Sequence, residues 1–143
     1  MSAQLFEDQE AVNAAYEDVR SDSTSTTWVI LEYNDKKLYI SATGDDYDEC
    51  MKHLNDGNRA YVYIRFITGD GMSKRAKFAF ISWIGPAVSP LKKAKVSTDK
   101  AFVKSIFSNF GKEFLCSEKA DLLETKIRNM LENASGAAYG TGK

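Results

Sequence analysis

Lys74, Arg75 and Lys77 crowd together a few residues after the turn formers Gly69, Asp70 and Gly71. Three cations carried on a protruding turn present positive charge to an acidic partner. The residues that follow, 78–84, are apolar at nearly every position, the pattern of a strand buried on both faces. The chemistry offered is charge recognition from a rigid support. Residues 68–85 supply no nucleophile, metal cage or phosphate loop.

A second set of cations lies downstream. At about 100° per residue, a helix begun at Pro90 places Lys93, Lys100 and Lys104 within roughly 40° of one another. Leu91, Phe102, Ile106 and Phe110 then fall on the opposite side, which is expected to face a sheet while a lysine ridge faces solvent. Two separate basic features on a nearly neutral chain make a binding module the first expectation.

Catalytic constellations are missing by comparison. His53 is the only histidine, with no Ser–His–Asp or Cys–His arrangement to join, and reads as structural. Cys50 and Cys116 lack CxxC spacing and read as ordinary free thiols of a reducing compartment. The acidic run at 44–49 lacks the ligand spacing of a calcium loop. Met72-Ser73-Lys74 faintly resembles the nucleotide-binding lysine loop of some tRNA synthetases, but the rest of that machinery is missing. No GxGxxG or Walker pattern occurs. An enzyme is not expected, and neither is a cofactor or a metal.

The 143 residues suit one domain with one core, and 43% of them are apolar. Net charge is −1 and the isoelectric point is about 5.9, which argues against nucleic acid as a partner. The N-terminal residues carry no apolar run of signal-peptide length, and no window suits a membrane span. A soluble, intracellular protein is expected.

The elements that must position the cations follow from periodicity. Val12, Ala15, Tyr16 and Val19 make one stripe of a helix over 7–20. A strand over 27–33 turns at Asn34-Asp35 into a return strand over 37–41, and a loop opens at Thr43. A short helix is expected over 47–54, closed by the turn at 55–58. Alternation marks a strand over 59–68, which pairs through the turn at 69–72 with a strand over 77–84. Gly85-Pro86 ends the sheet. Ser89 reads as an N-cap with Pro90 at the first helical position, and the helix is expected to reach about Phe110, capped by Gly111. A last strand spans 113–116. Ser117 is expected to cap a final helix with Leu122, Leu123, Ile127, Met130 and Leu131 as its stripe. The domain is expected to occupy 1–134 and a flexible tail 135–143. The order α β β α β β α β α predicts an α+β domain built on one mixed sheet with packed helices.

Read together, the segments RFITGDGMSKRAKFAFISWIG (65–85), KAKVSTDKAFVKSIFSNFGKEF (93–114), AAYEDVRSD (14–22) and AYVYIRF (60–66) resemble the coactosins, a branch of the actin-depolymerising-factor homology (ADF-H, cofilin) family. The likeness spans nearly the whole chain apart from its termini. It implies an α/β ADF-H fold, a central five- to six-stranded mixed sheet between helices. It implies a cytoplasmic, cytoskeletal, monomeric protein that binds along the sides of F-actin and G-actin weakly at most, with no membrane or nucleic-acid partner. Carried onto this sequence, the coactosin contact is Lys77, flanked by Lys74 and Arg75. The wider family's helix contact falls on Lys93, Lys100 and Lys104. Cofilins follow the lysine matching Lys93 with a methionine that packs on actin. Here Ala94 stands there, forgoing apolar contact of about 1–2 kcal/mol. Filament stabilisation or protection from capping, with weak or no severing, is thus the expectation. The alternatives are a cofilin-like turnover factor, or a regulator of another actin-associated complex in the manner of glia maturation factor.

Overall fold

The computed structural model describes residues 5–69, 72 and 74–141, with side chains described to Asn133. The chain runs through α1 (Gln9–Arg20), β1 (Trp28–Asn34), β2 (Lys37–Gly44), α2 (Tyr47–Lys52), β3 (Arg59–Thr68), β4 (Arg75–Ile84), α3 (Pro90–Ile106), β5 (Lys112–Cys116), a 3₁₀ turn (Lys119–Leu122) and α4 (Glu124–Thr141). The strands form one five-stranded sheet in the order β2-β1-β3-β4-β5. Neighbours are antiparallel except β4 and β5, whose parallel pairing is made possible by the α3 crossover.

Alternation along the strands divides the core in two. Val29, Leu31, Tyr61, Tyr63 and Phe80 face α1 and α3. Trp28, Ile30, Val62, Ile64, Ile81 and Trp83 face α2 and α4. β4 is buried from Ala79 to Ile84, as its apolar run requires. The β1–β2 hairpin turns at Asp35, whose φ of 58° lies in the left-handed region that aspartate tolerates.

The ends of α3 and the start of α4 differ from expectation. Ser89 caps α3 as expected, its side chain accepting from the Lys92 amide at 3.4 Å. The helix stops at Ile106, however, not near Phe110. Long-range bonds redirect the chain: Tyr63 Oη donates to Asn109 O at 2.5 Å, the Asn109 amide donates to Tyr16 Oη at 3.1 Å, and the Gly111 amide donates to Phe78 O at 2.7 Å. Ser117 caps no helix. The 3₁₀ turn comes first, tied to α2 by Tyr47 Oη on Leu122 O and Lys119 Nζ on Met51 O. β2 runs three residues beyond the expected Ser41, and β4 starts at Arg75, not Lys77. Helical backbone continues to Thr141 through the stretch read as a tail, and residues 142–143 lie outside the described residues.

Candidate functional site

The basic hairpin is built by the longest strand pair. Phe66 pairs with Lys77, Ile67 with Ala76 and Thr68 with Arg75. Arg75 and Lys77 therefore belong to β4 itself and inherit its rigidity. Lys74 and Arg75 are exposed and Lys77 is half-buried. Among the described residues no ion pair engages Lys74 or Lys77. Met72 and Ile67 add exposed apolar surface beside the cations. Asp70 and Gly71, part of the expected turn, and Ser73 just after it lie outside the described residues.

Helix α4 props this hairpin, which the sequence reading missed. Arg128 sits over the Phe66 ring, 5.2 Å from its centroid, donates to Ile67 O, and pairs with Glu124 at 3.1 Å. Glu132 accepts from the Gly69 amide at 3.5 Å. The i, i+4 spacing of Glu124, Arg128 and Glu132 was the available signal.

The α3 cations are arranged differently from the expected solvent ridge. The buried stripe is Val96, Asp99, Val103 and Ile106. Leu91 is 82% exposed and Phe102 is also exposed, while Phe110 lies beyond the helix against the core. Lys93 is exposed, whereas Lys100 and Lys104 are half-buried on the β5 side of the stripe. Lys100 and Lys104 both reach Glu113 of β5, at 2.7 and 2.8 Å. The outermost row of α3 is Ala94, Thr98, Ala101 and Ser105, all exposed. Asp99 is buried because Tyr33 Oη donates to its Oδ2 at 2.7 Å and Lys95 Nζ lies 2.9 Å away.

Burial alone would raise the Glu113 carboxyl, but the two ammonium groups outweigh it and hold it below the ordinary carboxylate range. A carboxyl depressed by folding stabilises above its unfolded value and loses that contribution as pH falls through the folded one. Acidification is therefore expected to loosen the α3–β5 contact and to lower stability less in Glu113→Gln than in the parent. Urea denaturation of both proteins across the acid range measures this, and equal pH slopes would contradict it.

The two basic groups stay apart. The separation is one of sheet face and not of distance along the strand: Lys100 and Lys104 reach Glu113, which pairs with Phe80, three residues from Lys77. α3 packs on one face of the sheet, and Lys77 shares the other face with Ala79 and Ile81.

Other chemistry finds no support among the described residues. No cluster of three His, Cys, Asp or Glu residues could hold a metal there, and no helix is long and apolar enough to cross a membrane. Both thiols are free and buried, and burial pushes Cys50 up to about 12 and Cys116 up to about 11, which makes both inert. His53 closes α2 and packs its ring 5.9 Å from Trp28. A hollow of about 440 Å³ between Arg59, Lys92, Glu32 and Ser89 is mixed in charge, with Arg59 stacked on Tyr33 at 3.9 Å.

Residues 6–132 match the family described as cofilin/tropomyosin-type actin-binding protein. The chain is 45% identical to the coactosin-like protein of Rattus norvegicus over 132 residues, 92% of this chain and 93% of the relative. Its fold superimposes on human coactosin-like protein with a TM-score of 0.85 at 41% identity, covering 88% of this chain and 96% of the other. Mouse coactosin, described as an actin filament binding protein, matches with a TM-score of 0.77 at 43% identity over 95% of this chain and 96% of the other.

Proposed function

We propose that this chain, which belongs to the cofilin-type actin-binding family and within it to the coactosins, is a non-enzymatic protein that binds the sides of actin filaments and stabilises them or protects them from capping. The observation that carries the reading is the basic β3–β4 hairpin, held on a buried strand, in a chain so similar to a filament-binding coactosin. Lys77 is the central contact, with Lys74 and Arg75 beside it. Lys93, Lys100 and Lys104 form a secondary contact. Actin is acidic, so exposed cations speed encounter and orient the complex, while charge desolvated at the centre sets its lifetime.

Weak severing and weak monomer binding follow from the outward row of α3. Ala94, Thr98, Ala101 and Ser105 offer little apolar area to an apolar cleft. The protein works as a monomer in the cytoplasm on the actin cytoskeleton, through a single domain over residues 1–134.

The test is co-sedimentation with actin filaments at several salt concentrations, parent beside Lys77→Ala. The parent is expected to pellet, less so as salt rises. The variant is expected to lose at least about tenfold in affinity, about 1.4 kcal/mol, with its fold intact. Equal pelleting of both shifts the contact to α3 and favours a cofilin-like mode, which a severing assay by microscopy then examines. No pelleting of either overturns the filament reading and leaves a regulator of another actin-associated complex.

A further inference from the structure

The two edges of the sheet are treated differently. The outer edge of β2 is closed by the N-terminal segment: the Glu7 amide donates to Leu38 O at 2.9 Å, and the Leu38 amide donates to Leu5 O at 2.7 Å. The outer edge of β5 receives no hydrogen bond among the described residues, and β4 is its only strand partner there. Open edges invite strand addition, and natural sheets blunt them with short strands and lysines.

β5 is short, but its edge is not blunt. Leu115 is 65% exposed between the buried Phe114 and Cys116. Beside it, a hollow of about 310 Å³ opens between β5 and α4, lined by Lys112, Phe114, Leu115, Lys126 and Met130. The surrounding charge is positive. Lys100, Lys104, Lys112 and Lys126 stand against two carboxylates, Glu113 and Asp121. Lys112 has no carboxylate partner among the described residues, its ammonium lying 5.9 Å from the Phe114 ring.

We propose that the β5 edge is a docking site for an extended acidic peptide segment of a partner protein, added as a further strand. Backbone bonds along β5 supply the affinity, over about 17 Å for five residues. Alternation sets the sequence of the occupant. Side chains on the α3 face meet Leu115 and are apolar there, and those on the α4 face meet Lys112 and Lys126 and are acidic. A second copy of this chain is a poor occupant, since it brings the same lysines against these. The inference goes beyond the filament reading and is tested without actin.

The probe is the fluorescein-labelled heptapeptide DVDVDVD, titrated into the ¹⁵N-labelled full chain, with DPDVDPD as a control of equal charge that cannot complete the strand ladder. The expected result is amide shifts centred on residues 112–116, slowed hydrogen exchange at the same amides, and weaker binding of the proline control. Lys112→Glu/Lys126→Glu is expected to lose about tenfold in affinity. Leu115→Ser, a change at an exposed position, is expected to weaken binding with the fold untouched. Equal binding of the proline control would reduce the effect to bulk charge and overturn strand addition. Shifts centred on 74–77 or on α3, or none at millimolar peptide, would overturn the site.

Discussion

Gly85→Ala is expected to lower stability by about 1–3 kcal/mol, toward the upper end of that range, through a single added methyl. A Cβ at Gly85 would stand 2.2 Å from Asp56 O and 2.4 Å from Asn55 O. Both obstacles are backbone, so no rotamer change relieves the clash. The loop cannot withdraw cheaply either. Asn55 O accepts from Trp83 Nε1 at 2.9 Å, the Gly85 amide donates to Asn58 O at 2.9 Å, and the Ala87 amide donates to Asp56 O at 2.8 Å. Residues 85–88 lead directly into the Ser89 cap, so the seating of α3 is disturbed together with β4. A melting midpoint lower by roughly 5–10 °C is expected for a chain of this size. Gly111→Ala is the control. Its Cβ meets nothing nearer than 3.5 Å, and Gly111 does not adopt positive φ, so its effect is expected within about 0.5 kcal/mol. A Gly85→Ala midpoint matching that of Gly111→Ala would refute the argument.

That pair of glycines shows what the sequence made legible and what it hid. Gly85 was readable as the end of a strand, but its need to be glycine comes from the 55–58 loop, whose approach no local pattern announces. Gly111 was readable as a helix cap, yet α3 ends at Ile106, because Tyr16, Tyr63 and Phe78 capture the chain that follows. The β3–β4 hairpin was readable almost to the residue, since strand alternation and the apolar run of β4 are local and strong. The buried face of α3 was misjudged for a definite reason. Its stripe includes Asp99, which periodicity counts as polar, and the partner that permits its burial, Tyr33, lies 66 residues away. The exposed Leu91 and Phe102 drew the stripe to the wrong side. The hairpin cations were legible as a local cluster. Their support from Arg128 and Glu132, and the partial neutralisation of Lys100 and Lys104 by the one carboxylate of Glu113, exist only once separate segments meet.

That neutralisation decides how the two basic groups should differ when mutated. Lys74→Glu/Lys77→Glu is expected to abolish filament binding, a loss of at least about a hundredfold, near 2.7 kcal/mol. It does more than remove attraction, because a reversed charge faces an acidic partner at close range, where like charges cost several kcal/mol. The change is local to the start of β4, where Lys74 is exposed and Lys77 half-buried, with no ion pair of either to break among the described residues, so the fold is expected to survive. Lys100→Ala/Lys104→Ala removes the same number of cations but uncovers Glu113, which both lysines now hold. Much of their charge is already spent inside the molecule, and their removal is expected to weaken filament binding only several-fold while lowering stability. The salt dependence separates the cases further. The hairpin variant is expected to flatten the fall of affinity with ionic strength, whereas the helix variant keeps most of it. Co-sedimentation of the parent and both double variants over a salt series reads all of this at once. A helix variant that lost affinity as severely as the hairpin variant would move the principal contact onto α3. The small outward row around Ala94 would then have to seat against actin.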